Sequence, residues 1–399
     1  MGHVEVRRRV WWRKGQSVAA PADEWLNGDT PRISLGARER CCRIGRHPQG
    51  FKRSAADLQR LAGWSVSPER LRRIVEAEGQ RAAKLRESSE FSPQWSASDC
   101  RVTPQGPSRV YVGVDGFMAP MVTQEEKRKR AASRRRAAES KRRRENSDSK
   151  GGVRKRDSCE KRRESVRGRG RGRRMRRGHS ERYKEFKLAT FYDQDKQRRR
   201  VSATGGNAER LGRLLRREGR RLGVSRADEV VGIVDGAPWI RNQLERFGEC
   251  DHIGLDYYHF SEHVSEAARI CFGEGSEPAS AWRQRVLNLA LESGVDEVLD
   301  EITQTRRQLR AKTKREALRR LRNYVGERVA MIRYPTSRAK GWDIGSGPTE
   351  GSCKTMAARL KGSGMRWDPA GAQAMLNLTA VEDSNEWEDY WHNRQGHQN

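Results

Sequence analysis

Three carboxylates carry the chemistry that this sequence suggests. Asp115 closes the run SRVYVGVDG, Asp235 closes EVVGIVDG, and Glu350 falls in the first turn of the helix expected from GSGPTEGSCKTMAARLKG. Acidic side chains on strand ends and a helix could hold two divalent cations about 3.5 to 4 Å apart, because such a pair needs shared oxygen ligands on rigid elements. The corresponding reaction is phosphoryl transfer on nucleic acid. Asp-Gly after a strand is by itself only a turn, and a Glu near a helix start is favoured by the helix dipole. The weight comes from context: both aspartates end runs buried on two faces, and open α/β sheets bind ligands at the carboxyl ends of their strands. Lys354 and Lys361, four and eleven residues after Glu350, share its helix face and would place phosphate contacts beside a metal ligand.

Composition agrees with a polyanionic partner. The 399 residues carry a formal charge of +30 at pH 7, with 34% of residues charged and only 34% hydrophobic. Each Lys or Arg set on a phosphate releases condensed counterions, so such a surplus favours nucleic acid without sequence reading. No segment approaches the roughly 18 to 20 apolar residues that cross a bilayer, and MGHVEVRRRVWWRKG lacks an apolar signal core. Seven cysteines without a CxxC pair argue against a disulfide framework and a zinc ribbon. A cytoplasmic, nucleoid-associated protein with no membrane partner is expected.

The elements that must position the carboxylates can be read in order. Residues 1–100 read as a separate DNA-binding region, with a weak strand at Val4 to Trp12 and a helix-turn-helix at about 54–79. Its helices are marked by Leu58, Leu61 and Ala62, then Leu71, Ile74 and Val75, on either side of Gly63, with Ser54 and Ser67 as caps. Arg70, Arg72 and Arg73 would lie on the exposed side of the second helix, where a DNA-reading helix carries its contacts; a plain helical hairpin reads almost as well. Residues 90–107 read as a linker.

Residues 101–271 read as the first part of an α/β core, interrupted at about 124–182 by a basic insertion. Between Lys127 and Arg177 there are 25 Lys and Arg against six Asp and Glu. That composition cannot bury a core, so the insertion is expected to be disordered in the free protein and to clamp DNA through its backbone. A hairpin then flanks DQDK, followed by a helix at Asn207 to Leu222, a strand at Val230 to Asp235, a helix at Trp239 to Phe247, a strand at Ile253 to Tyr258 and a helix at Ser261 to Cys271. This order predicts a mixed sheet flanked by helices. Residues 272–340 read as an all-helical insertion, 341–383 as the returning core with the Glu350 helix, and 384–399 as a polar tail of unassigned role. Trp282 could stack on an unpaired base, with a core tryptophan as the competing reading.

Five ordered motifs carry a family resemblance. VYVGVDGFMAP, the basic insertion leading to ERYKEFKLATFYDQDK, VVGIVDGAPWIRN, GLDYYHFSEHV and GSGPTEGSCKTMAARLKGSGMRW together resemble the ISKra-type insertion-sequence transposases, over roughly residues 100–380. The resemblance implies a DDE-group enzyme with an RNase H-like fold, in which Asp115, Asp235 and Glu350 bind two Mg2+ ions, with Mn2+ able to substitute. It implies cleavage of transposon ends in double-stranded DNA and their joining to target DNA, by a homodimer or higher oligomer on that DNA. Asp256 and His259 match an Asp-or-Cys-x-x-His signature of related transposases. Their residue types allow a hydrogen-bonding role behind the metal ligands, a phosphate contact or a helix cap. Two other functions stay open: an RNase H-like nuclease or resolvase without strand transfer, and a catalytically inactive DNA-binding relic.

Overall fold

The computed structural model describes residues 11, 33–88, 90–148 and 182–396. Its centre is a five-stranded mixed sheet in the order β3-β2-β1-β4-β5, from β1 (Arg109–Pro120), β2 (Tyr183–Tyr192), β3 (Arg199–Thr204), β4 (Glu229–Val234) and β5 (His252–Leu255). β1, β4 and β5 run parallel, and β2 is antiparallel to both of its neighbours. The expected mixed α/β architecture is therefore observed.

Alternation along β1 assigns its two faces. Val110, Val112 and Val114 enter one core, whereas Phe117 and Ala119 enter another. The first core is closed by helices at Ala208–Leu222, Pro238–Phe247 and Tyr257–Phe272, and by an all-helical block at Glu277–Glu292, Val295–Gln308 and Lys312–Gly326. The second is closed by α1 (Leu35–Gly45), α2 (Phe51–Ala62), α3 (Pro68–Glu87) and three helices from the end of the chain. The sheet is thus the middle of three layers.

Five expectations need correction. The two N-terminal helices exist, and Ser67 caps α3 by accepting from the Arg70 N–H. Ser54, however, is buried inside α2, where its hydroxyl donates to the Ile44 carbonyl, and Gly50 stands at the cap. Nor do these helices form a core of their own. Leu58, Leu71 and Val75 share one with the sheet, and Gly79 meets the Ala374 backbone so closely that a Cβ would lie 2.1 Å from its carbonyl oxygen.

The basic insertion does not begin disordered: Gln124–Asp148 is a helix. Thr123 and Glu126 cap it reciprocally, and its Ala, Glu, Lys and Arg residues favour a helix even without an apolar face to bury. Residues 149–181 lie outside the described residues, as does nearly all of the weak strand at Val4 to Trp12. β5 stops at Leu255 because Asp256 already caps the next helix, which starts at Tyr257 rather than Ser261. The tail is not a polar appendage. Trp387–Gly396 is a helix whose Trp387, Tyr390 and Trp391 are buried in the second core.

Candidate active site

The carboxyl end of the sheet brings the acidic residues together. β1 and β4 pair with a constant offset, from Arg109 opposite Glu229 to Val114 opposite Val234. The next pair in that register is Asp115 and Asp235. Neighbouring strands lie about 4.8 Å apart and paired residues of parallel strands share a face, so these two carboxylates leave adjacent strands side by side.

The helix Gly347–Lys361 supplies the third. It crosses β1 at Gly113, where the Thr349 hydroxyl sits 1.8 Å from where a Cβ would stand and 2.6 Å from the Thr190 hydroxyl. No residue with a side chain fits there without moving the helix, which gives the glycine of VGVDG a structural reason. Glu350 follows Thr349 directly. One turn on, the Cys353 thiol lies against Asp115.

Asp256 couples the segments that carry these groups. Its N–H donates to the Val234 carbonyl, one residue before Asp235, at 2.8 Å. Its carboxylate accepts from the Tyr258 and His259 N–H groups at 2.7 and 3.0 Å and, on the other oxygen, from the Ser346 N–H at 2.6 Å and the Ser346 hydroxyl. Of the roles left open for it, the structure displays the helix cap, extended into a clamp on the loop before the Glu350 helix. With its oxygens so engaged, Asp256 positions other groups rather than offering a free ligand. The His259 ring sits beside His263, with centroids 5.0 Å apart, and 3.7 Å from Glu262.

Electrostatics single out Asp115. Burial raises its pKa; the Cys353 thiol and the Gly116 N–H work against that rise, and the nearby charges of Asp235 and Glu350 add to it. Burial is thus the main influence on Asp115, and its two acidic neighbours act in the same direction. The other two carboxylates have partners of their own: Asp235 accepts from the Ala237 N–H at 2.9 Å, and Glu350 is paired with Lys354 at 2.7 Å. Among the described residues no three His, Cys, Asp or Glu side chains are gathered at coordinating distance. The donor set still suits a hard divalent cation, being carboxylate oxygen throughout.

Two residues from the helical block complete the site and had no signal in the sequence. Arg328 donates to the Gly236 carbonyl at 3.2 Å, packing so tightly on this turn that a Cβ at Gly236, where φ is +78°, would lie 2.6 Å from its Nε. Its guanidinium also lies over the Tyr324 ring. The buried Tyr324 hydroxyl has no hydrogen-bond partner among the described residues. Burial pushes its pKa up, Arg328 opposes that, and the charges of Asp235 and Asp256 add to it.

The remaining expected contacts divide. Lys361 is exposed and reaches over the Phe117 ring, on the same face as Asp115. Arg70 is exposed, whereas Arg72 is paired with Glu69 and Glu76, and Arg73 with Glu69. Trp282 is 1% exposed and donates its indole N–H to Thr305 at 2.9 Å. It holds the helical block together, so the stacking role falls.

Fold and site together define a mixed α/β protein with an acidic centre at the carboxyl ends of two parallel strands. A family model described as "Uncharacterised protein family (UPF0236)" matches residues 219–395, a span that includes Asp235, Asp256, His259 and Glu350. No curated protein matches the chain. Among the described residues no helix is long and apolar enough to cross a membrane.

Proposed function

We propose that the protein is a DNA transposase of the DDE, RNase H-like group, similar to the ISKra-type insertion-sequence enzymes. One observation carries this reading: Asp115 and Asp235 continue the register of two parallel strands, and the Glu350 helix is seated on the same strand close enough for both other charges to raise Asp115. A purely structural cluster would pair these charges internally. Here Glu350 has Lys354, but neither aspartate has a cationic partner among the described residues, which favours a cationic ligand.

Asp115, Asp235 and Glu350 would hold divalent ions, Mg2+ or Mn2+ by the chemistry of their oxygens. Bound there, such ions supply the charge that ionises an attacking water or 3′ hydroxyl and stabilises the departing oxygen. The chain's own groups bind and orient. Lys354, now on Glu350, and Lys361 face the side from which DNA phosphates arrive; transfer of Lys354 to a phosphate releases Glu350 toward the two aspartates. Arg328 fixes the turn that carries Asp235. Asp256 holds the Glu350 helix to the end of β4. The N-terminal helices and the basic insertion would bind transposon ends and target DNA, in a homodimer or higher oligomer associated with the nucleoid.

The test is cleavage and joining of a plasmid that carries the gene's native flanks, with magnesium, by the intact chain and by Asp235→Asn. Cleavage with joining, reduced at least about a hundredfold in the variant while DNA binding persists, is the expected result. Cleavage without joining would replace this reading by a nuclease or resolvase. Binding with neither reaction would leave a DNA-binding relic.

A further inference from the structure

The helix Ala208–Leu222 buries Leu211, Leu215 and Leu222 against the sheet and turns six arginines away from that stripe. Five of them, Arg213, Arg216, Arg217, Arg220 and Arg221, line one open groove of about 930 Å³, together with the half-buried Trp95. The groove lies at the end of the sheet opposite the carboxylates, because this helix runs back from the end of β3 toward the start of β4.

The arginines are not equivalent. Arg221 is spent on the chain, donating to the Arg86, Ser88 and Phe91 carbonyls, and Arg217 is paired with Glu218 and Glu87. The acids that line the groove are also engaged: Glu87 with Arg217, and Asp99 with Ser96 in a capping box. Arg213, Arg216 and Arg220 have no carboxylate partner among the described residues. They stand at i, i+3 and i+7 on a straight helix, spanning about 10 Å at 1.5 Å per residue. One strand of B-DNA places a phosphate every 3.4 Å of axis, so that length covers about three phosphate-to-phosphate steps.

We propose that this groove is a second duplex-DNA site, which grips the phosphate backbone through Arg213, Arg216 and Arg220 at a distance from the acidic centre. Its volume is at the upper end of what a small ligand fills, and a row of guanidiniums with no convergent pocket suits a polymer of regularly spaced anions rather than one compact anion. A duplex held here lies at the far end of the sheet from the acidic residues, so the site binds DNA that is not being cut at that moment. The inference rests on the nucleic-acid reading of the protein, not on its catalytic activity.

The experiment measures binding of the full chain to a duplex of unrelated sequence across a salt series. The triple variant R213A/R216A/R220A is compared with R307A/R310A/R315A, which removes three exposed arginines of the helical block, and with R213K/R216K/R220K. Three lost phosphate contacts should reduce the slope of log K against log salt by roughly 2 to 3 and weaken binding by at least about tenfold near 0.1 M salt. The lysine variant should retain the slope, which separates lost charge from misfolding. An unchanged slope in the alanine variant, or an equal loss in the helical-block variant, overturns the groove and leaves the transposase reading standing. Failure of the unmodified chain to bind duplex DNA overturns both.

Discussion

Two buried polar clusters on the same sheet handle charge in opposite ways. At the β3 edge, Arg200 is fully buried between Glu218, at 2.8 Å, and Glu386, while Arg86 reaches Glu386 at 3.1 Å and the Ser384 hydroxyl at 3.1 Å. Burial alone would push Glu218 up, but Arg200, Arg86 and Arg217 outweigh it and hold this carboxyl at about 2. At the carboxyl end of β1 and β4, burial and two like charges push Asp115 the other way. The fold is able to balance charge inside itself and does so where charge serves cohesion. At Asp115 no such pairing offsets burial, which is the condition that the divalent ions of the proposed function would relieve.

Breaking the balanced cluster should have the largest effect. Arg200→Met leaves Glu218 and Glu386 buried without their shared partner and should cost about 3 to 5 kcal/mol in urea unfolding. An unchanged midpoint would erase the contrast drawn above. Next comes the clamp between the two halves of the acidic site. Asp256→Asn loses an acceptor for Ser346 and should slow magnesium-dependent cleavage by about 10- to 100-fold, with duplex affinity unchanged. Equal losses in binding and cleavage would make Asp256 a general stability residue instead.

Metal binding gives a smaller effect that does not depend on activity. Magnesium at about ten times its dissociation constant should stabilise the protein by about 1.4 kcal/mol and raise its melting temperature, and Asp235→Asn should abolish that gain. A rise of equal size in the variant would place the ion elsewhere.

The finest test is the sign of the pH dependence. Glu218 has a folded-state pKa below its unfolded one, so its contribution is present above about pH 4.5 and is lost as pH falls toward about 2. Asp115 has a raised folded-state pKa, so its penalty is present above that pKa and is relieved as pH falls through it. Urea midpoints against pH should therefore show the acid-side loss flattened in Glu218→Gln, and the penalty at neutral pH removed in Asp115→Asn. Shifts of the same sign in both variants would contradict the two opposite environments.

Much of the site could be read from sequence because its parts are local. Each aspartate closes a β-branched run, and Glu350 sits in a recognisable helix start, so strand ends and helix carried their own marks. What could not be read depends on residues far apart in the chain. Ser346 meets Asp256 across 90 positions, Arg328 meets Gly236 across 92, and Trp387 donates to Glu39 across 348. No spacing rule connects such pairs. The helix Gln124–Asp148 was missed for a different reason: composition excludes a core there, but a chain of good helix formers needs none. Trp282 was ambiguous because an aromatic residue at helical spacing serves a core and a stacking platform equally well.

The burial of Trp387, Tyr390 and Trp391 also constrains how the molecule is made. Tyr390 donates to Glu78 at 2.6 Å, so residues near the end of the sequence complete the layer in which Leu58, Leu71 and Val75 are packed. During synthesis those N-terminal helices emerge first and wait, with one apolar face uncovered, for more than 300 residues to follow. A polypeptide stopped short of residue 387 would carry all three acidic groups yet lack the lid on its own second core. Quality control would meet it as an unfinished surface, and degradation would favour complete copies over partial ones.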